Sequence, residues 1–183
     1  MDLRQGGGGG GGRNDILVTE VRNDGSAKRQ TYKVLYSNCR SIVNKIDLLR
    51  TEVEDVDFIL LCETFCNINI TDSYLCIPGF EIIVRKDGNS TTRGRTRGLL
   101  MYAREGLRAS RKEMTGDDKC TECAAISIPW GRGESLTMVL AYRPPAPPGS
   151  AADNGNTARL MRTLAGLEGQ VVIVGDFNFG PRQ

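Results

Sequence analysis

The sequence contains no histidine among its 183 residues, so the commonest partner of cysteine in zinc sites is missing. Six cysteines are present, and two pairs have suggestive spacing: Cys120 with Cys123, and Cys62 with Cys66. Neither pair forms part of the four-ligand pattern of a structural zinc site. We therefore predict free thiols in a reducing compartment, with Cys62 and Cys123 acting as small buried hydrophobic residues.

Long hydrophobic runs are also missing. No apolar stretch approaches the roughly 18 residues that are needed to cross a bilayer, and the N-terminus lacks the apolar segment of a secretory signal. The composition, 39% hydrophobic and 25% charged, is typical of a globular domain in water. Together these features predict an intracellular protein without a membrane partner.

A strong excess of either charge is the third missing feature. The 24 basic and 22 acidic residues leave a net charge of +2, which is too small to indicate a nucleic-acid partner. One segment, 85–97, is locally basic: it contains Arg85, Lys86, Arg93, Arg95 and Arg97. Charge alone leaves two interpretations open for this segment, a flexible loop that contacts phosphate groups or a solvated hairpin tip.

The distribution of glycine predicts where folding begins. Residues 6–12 are seven consecutive glycines, whose backbone entropy in the unfolded chain opposes any fixed structure. We predict a disordered leader over 1–30 and a folded domain over 31–183. Within that domain, short apolar runs alternate with amphipathic stretches, which predicts an α/β fold.

Individual elements follow from hydrophobic periodicity. Ile42, Ile46, Leu49 and Val53 lie on one face of a helix predicted over 42–54. A second helix is predicted over 157–169, after a proline-rich loop over 143–156. Strands are predicted at 32–38, 57–64, 80–86, 98–103, 123–128, 136–142 and 171–178.

Polar side chains follow three of the predicted strands. Asn38 ends the first, Glu63 comes at the end of the second, and Asp176 with Asn178 close the last. Ligands of α/β proteins gather at strand ends, and these side chains suit metal-assisted phosphate chemistry. Glu63 and Asn38 offer oxygen ligands for Mg²⁺, Asp176 could orient or deprotonate a water molecule, and Asn178 could hydrogen-bond a phosphate oxygen.

Taken individually, each of these residues is explained equally well by a structural role. Asn38 or Ser41 could cap the helix that follows. Glu63 could begin a solvated turn, and Asp176 could form an ordinary Asx-turn. The spacing alone leaves both interpretations open.

Five segments together resemble the endonuclease/exonuclease/phosphatase family. More closely, they resemble the endonuclease domain that precedes reverse transcriptase in non-LTR, LINE-type retrotransposons. In chain order they are YSNCRSIVNK (36–45), DFILLCET (57–64), IPGFEIIVRKD (77–87), AYRPP (141–145) and VVIVGDFN (171–178).

The resemblance implies a fold and a division of roles. The fold would be two packed mixed β-sheets flanked by helices, a four-layer sandwich, and the reaction would be hydrolysis of phosphate esters with Mg²⁺ or Mn²⁺. By resemblance, Glu63 is the principal metal ligand, with Asn38 beside it, and Tyr142 lies near the scissile phosphate. Asp176 matches the acid that activates water, and Asn178 matches the amide that holds a phosphate oxygen.

The retrotransposon likeness further implies DNA as the substrate, a reverse transcriptase domain downstream and a nuclear location for a functional protein. Candidate DNA contacts are Arg93, Arg95 and Arg97 in the basic segment and Arg143 in the RPP segment. The basic segment departs from the family, which usually carries a run of glycines before the strand at 98–103.

The end of the sequence also departs from the family. Members rely on a later acid and a final Asp-His pair, whereas this sequence has no histidine and ends at Gln183. We therefore expect a truncated domain, incomplete at the C-terminus, with weak or no activity. Two alternatives remain open: a phosphatase or lipid phosphodiesterase of the same superfamily, and a non-catalytic vestigial fragment.

Overall fold

The computed structural model describes residues 16–22, 31–91, 94–114, 122–131 and 133–179. Within these residues the chain forms eleven strands and three helices. The strands are β1 (Ile16–Arg22), β2 (Thr31–Asn38), β3 (Phe58–Cys62), β4 (Phe80–Lys86), β5 (Asn89–Thr91), β6 (Gly94–Thr96), β7 (Leu99–Arg104), β8 (Ser110–Lys112), β9 (Cys123–Pro129), β10 (Ser135–Tyr142) and β11 (Gln170–Asp176). The helices are α1 (Ile46–Glu52), α2 (Asp72–Leu75) and α3 (Ala151–Ala165).

Two mixed sheets carry the architecture. The first has five strands in the order β1-β2-β3-β7-β4, and the second has four in the order β11-β10-β9-β8. Each sheet contains one parallel pair, β2 with β3 and β10 with β11, among antiparallel neighbours. A parallel pair aligns the carboxyl ends of both strands on one edge, so each sheet presents one such edge.

Strand β3 shows why the sheets stack. All five of its residues are buried, and they alternate between two hydrophobic clusters. Phe58 and Leu60 pack between the two sheets, whereas Ile59 and Leu61 face the helical side. A continuous apolar run buried on both faces is what the sequence predicts for this strand.

Helices cover the outer face of each sheet. Ile46 and Leu49 of α1 pack with Ile59 in the cluster outside the first sheet. Leu160 of α3 packs on Cys123 and Ala141, outside the second sheet. The order is therefore helix, sheet, sheet, helix, and the predicted fold class, two packed mixed sheets flanked by helices, is confirmed. Among the described residues, no helix combines the length and apolarity that a membrane crossing requires.

Three predicted boundaries need correction. Strand β1 pairs antiparallel with β2, so the folded part includes Ile16–Arg22 and the predicted domain start at residue 31 is too late; the rest of the predicted 1–30 leader lies outside the described residues. Helix α1 begins at Ile46 after a turn over 42–45. Helix α3 begins at Ala151, inside the predicted 143–156 loop, because the Ser150 side chain caps it by accepting a hydrogen bond from the amide of Asp153 at 3.1 Å.

Candidate active site

The parallel strand pairs bring the predicted site residues together. In the first sheet Asn38 is the register partner of Cys62, which directly precedes Glu63. In the second sheet Tyr142 is the register partner of Asp176. The two sheets pack face to face, so four side chains distant in sequence meet at one edge of the sandwich.

A hydrogen bond joins the two sheets at this edge. Nδ2 of Asn38 donates to Oδ2 of Asp176 at 3.1 Å. The other atom of the amide, Oδ1, accepts from the backbone amide of Arg40 at 3.3 Å, which fixes the orientation of the Asn38 side chain. The predicted alternative of a helix cap does not apply to Asn38 or Ser41, because the N-cap of α1 is Lys45.

Glu63 lies on a constrained turn immediately after β3. Its φ of 52° is in the left-handed region, which non-glycine residues seldom adopt and which is common at functional sites. The turn is held because the Glu63 carbonyl accepts from the amide of Ser41 at 3.0 Å and the amide of Thr64 donates to the carbonyl of Gly98. The predicted solvated turn is wrong, since Glu63 is only 8% exposed.

The Glu63 carboxylate is stabilised in its charged form. Burial raises the pKa of Glu63, but Tyr142, Asn38 and Arg97 together outweigh burial, so the net pKa lies below its usual value. Nη1 of Arg97 lies 2.5 Å from Oε1 of Glu63. This carboxylate is therefore anionic at neutral pH, as a ligand for a hard cation must be.

Tyr142 presents a hydroxyl without a conventional partner. The side chain is 2% exposed, and its hydroxyl makes no hydrogen bond of normal geometry to any described residue. Burial and then the nearby Glu63 carboxylate raise the pKa of Tyr142. The hydroxyl therefore stays protonated at neutral pH beside the Glu63 carboxylate, where it can donate to that carboxylate or to a bound group.

A hydrogen bond between Asp176 and Asn178 orients both residues. Oδ1 of Asp176 accepts from the backbone amide of Asn178 at 3.2 Å, an Asx-turn, while its Oδ2 accepts from Asn38. Asn178 has a left-handed φ of 45°, and its Nδ2 donates to the carbonyl of Arg143 at 3.0 Å. Both interpretations of Asp176 thus hold at once: it closes a turn, and it faces the other site residues.

The close approach of β11 to β10 requires a glycine at position 175, immediately before Asp176. A Cβ atom at position 175 would lie 1.7 Å from the carbonyl oxygen of Ala141, its register partner on β10. Only glycine permits so close an approach of two backbones. The approach places the ends of β10 and β11 side by side, with Tyr142 opposite Asp176.

Comparison with known proteins identifies the family of this chain. The model of the Endonuclease/Exonuclease/phosphatase family matches residues 35–183. The chain belongs to this family. Among solved structures, an AP endonuclease, LMAP, from Leishmania major is similar at 18% identity with a TM-score of 0.49, and the match covers 72% of this chain and 48% of that one. No curated protein matches the sequence.

Membership of the endonuclease/exonuclease/phosphatase family supports hydrolysis of phosphodiesters in general. Nucleases of this family generally use divalent metal ions, and the residues at the sheet edge fit such an ion. Glu63 supplies an anionic carboxylate. Asn38 turns its Nδ2 toward Asp176, and its Oδ1, which accepts from the Arg40 amide, keeps one lone pair for an ion. Mg²⁺ binds through one or two carboxylates with water and phosphate oxygens completing its shell. A cluster of three acidic or cysteine ligands is therefore unnecessary, and the described residues form none.

The predicted cysteine roles are confirmed for the described residues. Cys62 is a free, buried thiol and Cys123 is buried, each within a hydrophobic cluster. Cys62 and Cys66 pack in different clusters, on opposite faces of the first sheet. Cys120 lies outside the described residues.

The predicted DNA contacts have different outcomes. Arg93 lies outside the described residues, and Arg95 lies in the short strand β6, which pairs with β5 as a hairpin. Arg97 lies at the site itself, on Glu63. The prediction for Arg143 needs correction: its side chain is fully buried and so does not face a ligand on the surface.

Arg143 instead links three segments around the site. Its guanidinium pairs with Asp153, donates to Oγ1 of Thr157 at 3.0 Å, and donates from Nη1 to the carbonyl of Asn178 at 3.0 Å. The end of β10, the first turns of α3 and the segment after β11 are thereby fixed together. Asp153 and Thr157 were missed by the sequence analysis, because they fall where it predicts a loop and the start of a later helix.

Proposed function

We propose that this chain is a divalent-cation-dependent DNA endonuclease domain of the non-LTR retrotransposon type. One observation carries the proposal: Asn38 and Glu63 of one sheet meet Tyr142 and Asp176 of the other, and the Asn38–Asp176 hydrogen bond joins the two halves. Glu63 as a metal ligand, Asp176 as the acid that activates water and Tyr142 as a hydroxyl donor then lie around one site at the sheet edge. These are the groups that metal-assisted phosphodiester hydrolysis requires.

Glu63 would hold the cation, Mg²⁺ or Mn²⁺. Asn38 is the second proposed ligand, through the lone pair of Oδ1 that the Arg40 amide does not use. When bound, such an ion supplies positive charge that stabilises the negative charge of the phosphate as the bond breaks. The lowered pKa of Glu63 favours this role, because its carboxylate needs no deprotonation before it binds a cation.

Asp176 orients the attacking water and accepts its proton. Hydrogen bonds from Asn38 and from the Asn178 amide hold the two carboxylate oxygens in a fixed plane. Each oxygen keeps acceptor capacity for a water molecule. A carboxylate held in this way contributes to the rate by orientation as well as by proton transfer.

Tyr142 and Asn178 bind the phosphate group. The raised pKa of Tyr142 keeps its hydroxyl protonated, so it donates a hydrogen bond to a phosphate oxygen. Asn178 uses one N–H for the carbonyl of Arg143, and its second N–H remains for the phosphate. Neither group adds negative charge beside the anionic substrate.

DNA as the substrate and the retrotransposon origin rest on the motif order and on the basic segment that ends at Arg97. The proposal includes a reverse transcriptase domain as the partner in the same polypeptide and a nuclear location. A phosphatase or lipid phosphodiesterase would use the same Glu63 and Asp176, and no feature of the described residues favours those substrates.

Substrate comparison tests the proposal. We expect slow nicking of supercoiled plasmid DNA with Mg²⁺ or Mn²⁺, in keeping with the weak activity expected of this chain, and still lower rates on inositol phosphates and sphingomyelin. Glu81→Gln, an exposed carboxylate on β4, is the control and should keep the wild-type rate. Faster turnover of an inositol phosphate or of sphingomyelin than of DNA would overturn the nuclease assignment.

A further inference from the structure

Arg97 occupies the position on Glu63 that a metal ion would need. Its Nη1 lies 2.5 Å from Oε1 of Glu63, and the two side chains are 33% and 10% exposed. The guanidinium carbon also lies 5.2 Å from the centre of the Tyr142 ring. A single cationic side chain thus covers both the carboxylate and the aromatic ring of the site.

Hydrogen bonds hold the backbone of Arg97 in place independently of its side-chain contacts. The carbonyl of Arg97 accepts from the amide of Phe65 at 2.7 Å, and its own amide donates to Oε1 of Glu122 at 3.3 Å. Gly98 follows with a left-handed φ of 84°, and a Cβ there would lie 2.5 Å from Oγ1 of Thr64. The side chain makes a monodentate contact with Glu63 and is one-third exposed, so it can leave without moving the backbone.

The positive charge of Arg97 opposes the binding of a divalent cation to Glu63. An arginine stays charged at every physiological pH, and like charges at a few ångströms repel strongly in a partly buried site. A divalent ion and the guanidinium therefore compete for Oε1 of Glu63. The pairing also explains how a largely buried carboxylate remains stable before a cation binds, since a buried charge needs a partner.

We propose that Arg97 is a built-in competitor of the divalent cation for Glu63, and so sets the cation concentration at which the site loads. This inference rests on the proposed function, because it takes Glu63 as the metal ligand. It assigns Arg97 a role that the prediction of a simple DNA contact does not include.

Removal of the competitor should tighten cation binding. We expect Arg97→Gln to lower the dissociation constant for Mn²⁺ by about tenfold, within the range of typical couplings between two ligands. Arg97→Lys keeps a cation at this position, and its Mn²⁺ affinity should stay within about threefold of wild type. The control is Arg85→Gln, which removes an arginine paired with Asp72 and Asp87 at another surface and should leave the affinity unchanged.

Mn²⁺ binding to the full chain is measured by electron paramagnetic resonance, which counts free Mn²⁺ and needs no activity. Unchanged or weaker Mn²⁺ binding in folded Arg97→Gln overturns the competitor role. If that variant does not fold, Arg97→Met, which keeps the aliphatic stem beside the Tyr142 ring, has the same expected result. Glu63→Gln separates the two proposals, because equal Mn²⁺ binding by Glu63→Gln and wild type would overturn the metal site itself.

Discussion

Asn38 donates a hydrogen bond to Asp176 across 138 residues of sequence, at 3.1 Å and between two different sheets. Both residues end the parallel strands of their sheets. The bond therefore forms only when the two halves of the site are correctly aligned. A change at either residue should alter stability and site geometry together.

Replacement of Asn38 tests this link. Asn38→Ala should lower the free energy of unfolding by about 1–2 kcal/mol, because a partly buried hydrogen bond to a carboxylate is lost. Asn38→Asp should be costlier at neutral pH, because it places two carboxylates within hydrogen-bonding distance. Urea denaturation measures both effects. Asn69→Ala, at an exposed loop position, is the control, and an equal cost there would contradict the account.

Gly175 should tolerate no side chain. Gly175→Ala places a methyl group on the carbonyl of Ala141, so β11 must move away from β10 at an expected cost of about 3 kcal/mol or more. Gly155→Ala is the matched control, because Gly155 lies in α3 with nothing within 4 Å of the added Cβ. It should stabilise the protein by roughly 0.5–1 kcal/mol. Thermal melts that show both substitutions to be neutral would contradict the geometry at the two sites.

The Arg143–Asp153 pair should make stability depend on acid pH. The Arg143 side chain and the amide of Gly149 lower the pKa of Asp153 below its usual 3.8. Since the folded pKa is the lower one, this stabilisation is present above the unfolded pKa and is lost as the pH falls through the folded value. Asp153→Asn should therefore destabilise the protein at neutral pH and have little effect in strong acid. A pH-independent difference between the two proteins would contradict this origin.

The thiols should differ in reactivity. Burial raises the pKa of Cys39 and of Cys62 to about 12 each, so at mildly alkaline pH neither forms the thiolate that reacts with disulfide reagents. Cys76 is exposed. Cys76→Ser should remove one fast-reacting thiol from the native protein, whereas Cys62→Ala should remove none. If Cys62→Ala lacked one of the fast-reacting thiols of the wild type, Cys62 would be accessible to the reagent, and this would contradict its burial.

Much of the site is predictable from the sequence, for a physical reason. Asn38, Glu63 and Asp176 each stand where an apolar run ends, and buried parallel strands place such residues on a common edge. Gly175 is likewise explained by local geometry, as the close approach of two strands. The four-layer order follows from strand β3, whose continuous apolar run requires cover on both faces.

Side-chain pairing was less predictable. Arg97 and Arg143 are both basic residues beside turns in the sequence, yet one lies over Glu63 and the other is fully buried. Their positions depend on contacts with residues distant in the chain, which periodicity does not encode. The same holds for β1, whose ordering depends on pairing with β2 rather than on its own hydrophobicity.

The most direct test of the account measures plasmid nicking with Mg²⁺ or Mn²⁺ by wild type, Glu63→Gln and Asp176→Asn, with each variant confirmed as folded. The two residues come from different sheets and are predicted to act in one site. We expect slow nicking by wild type and a further loss of roughly 100-fold or more in each variant. Wild-type nicking that survives in either folded variant would contradict a single site at the joined sheet edges.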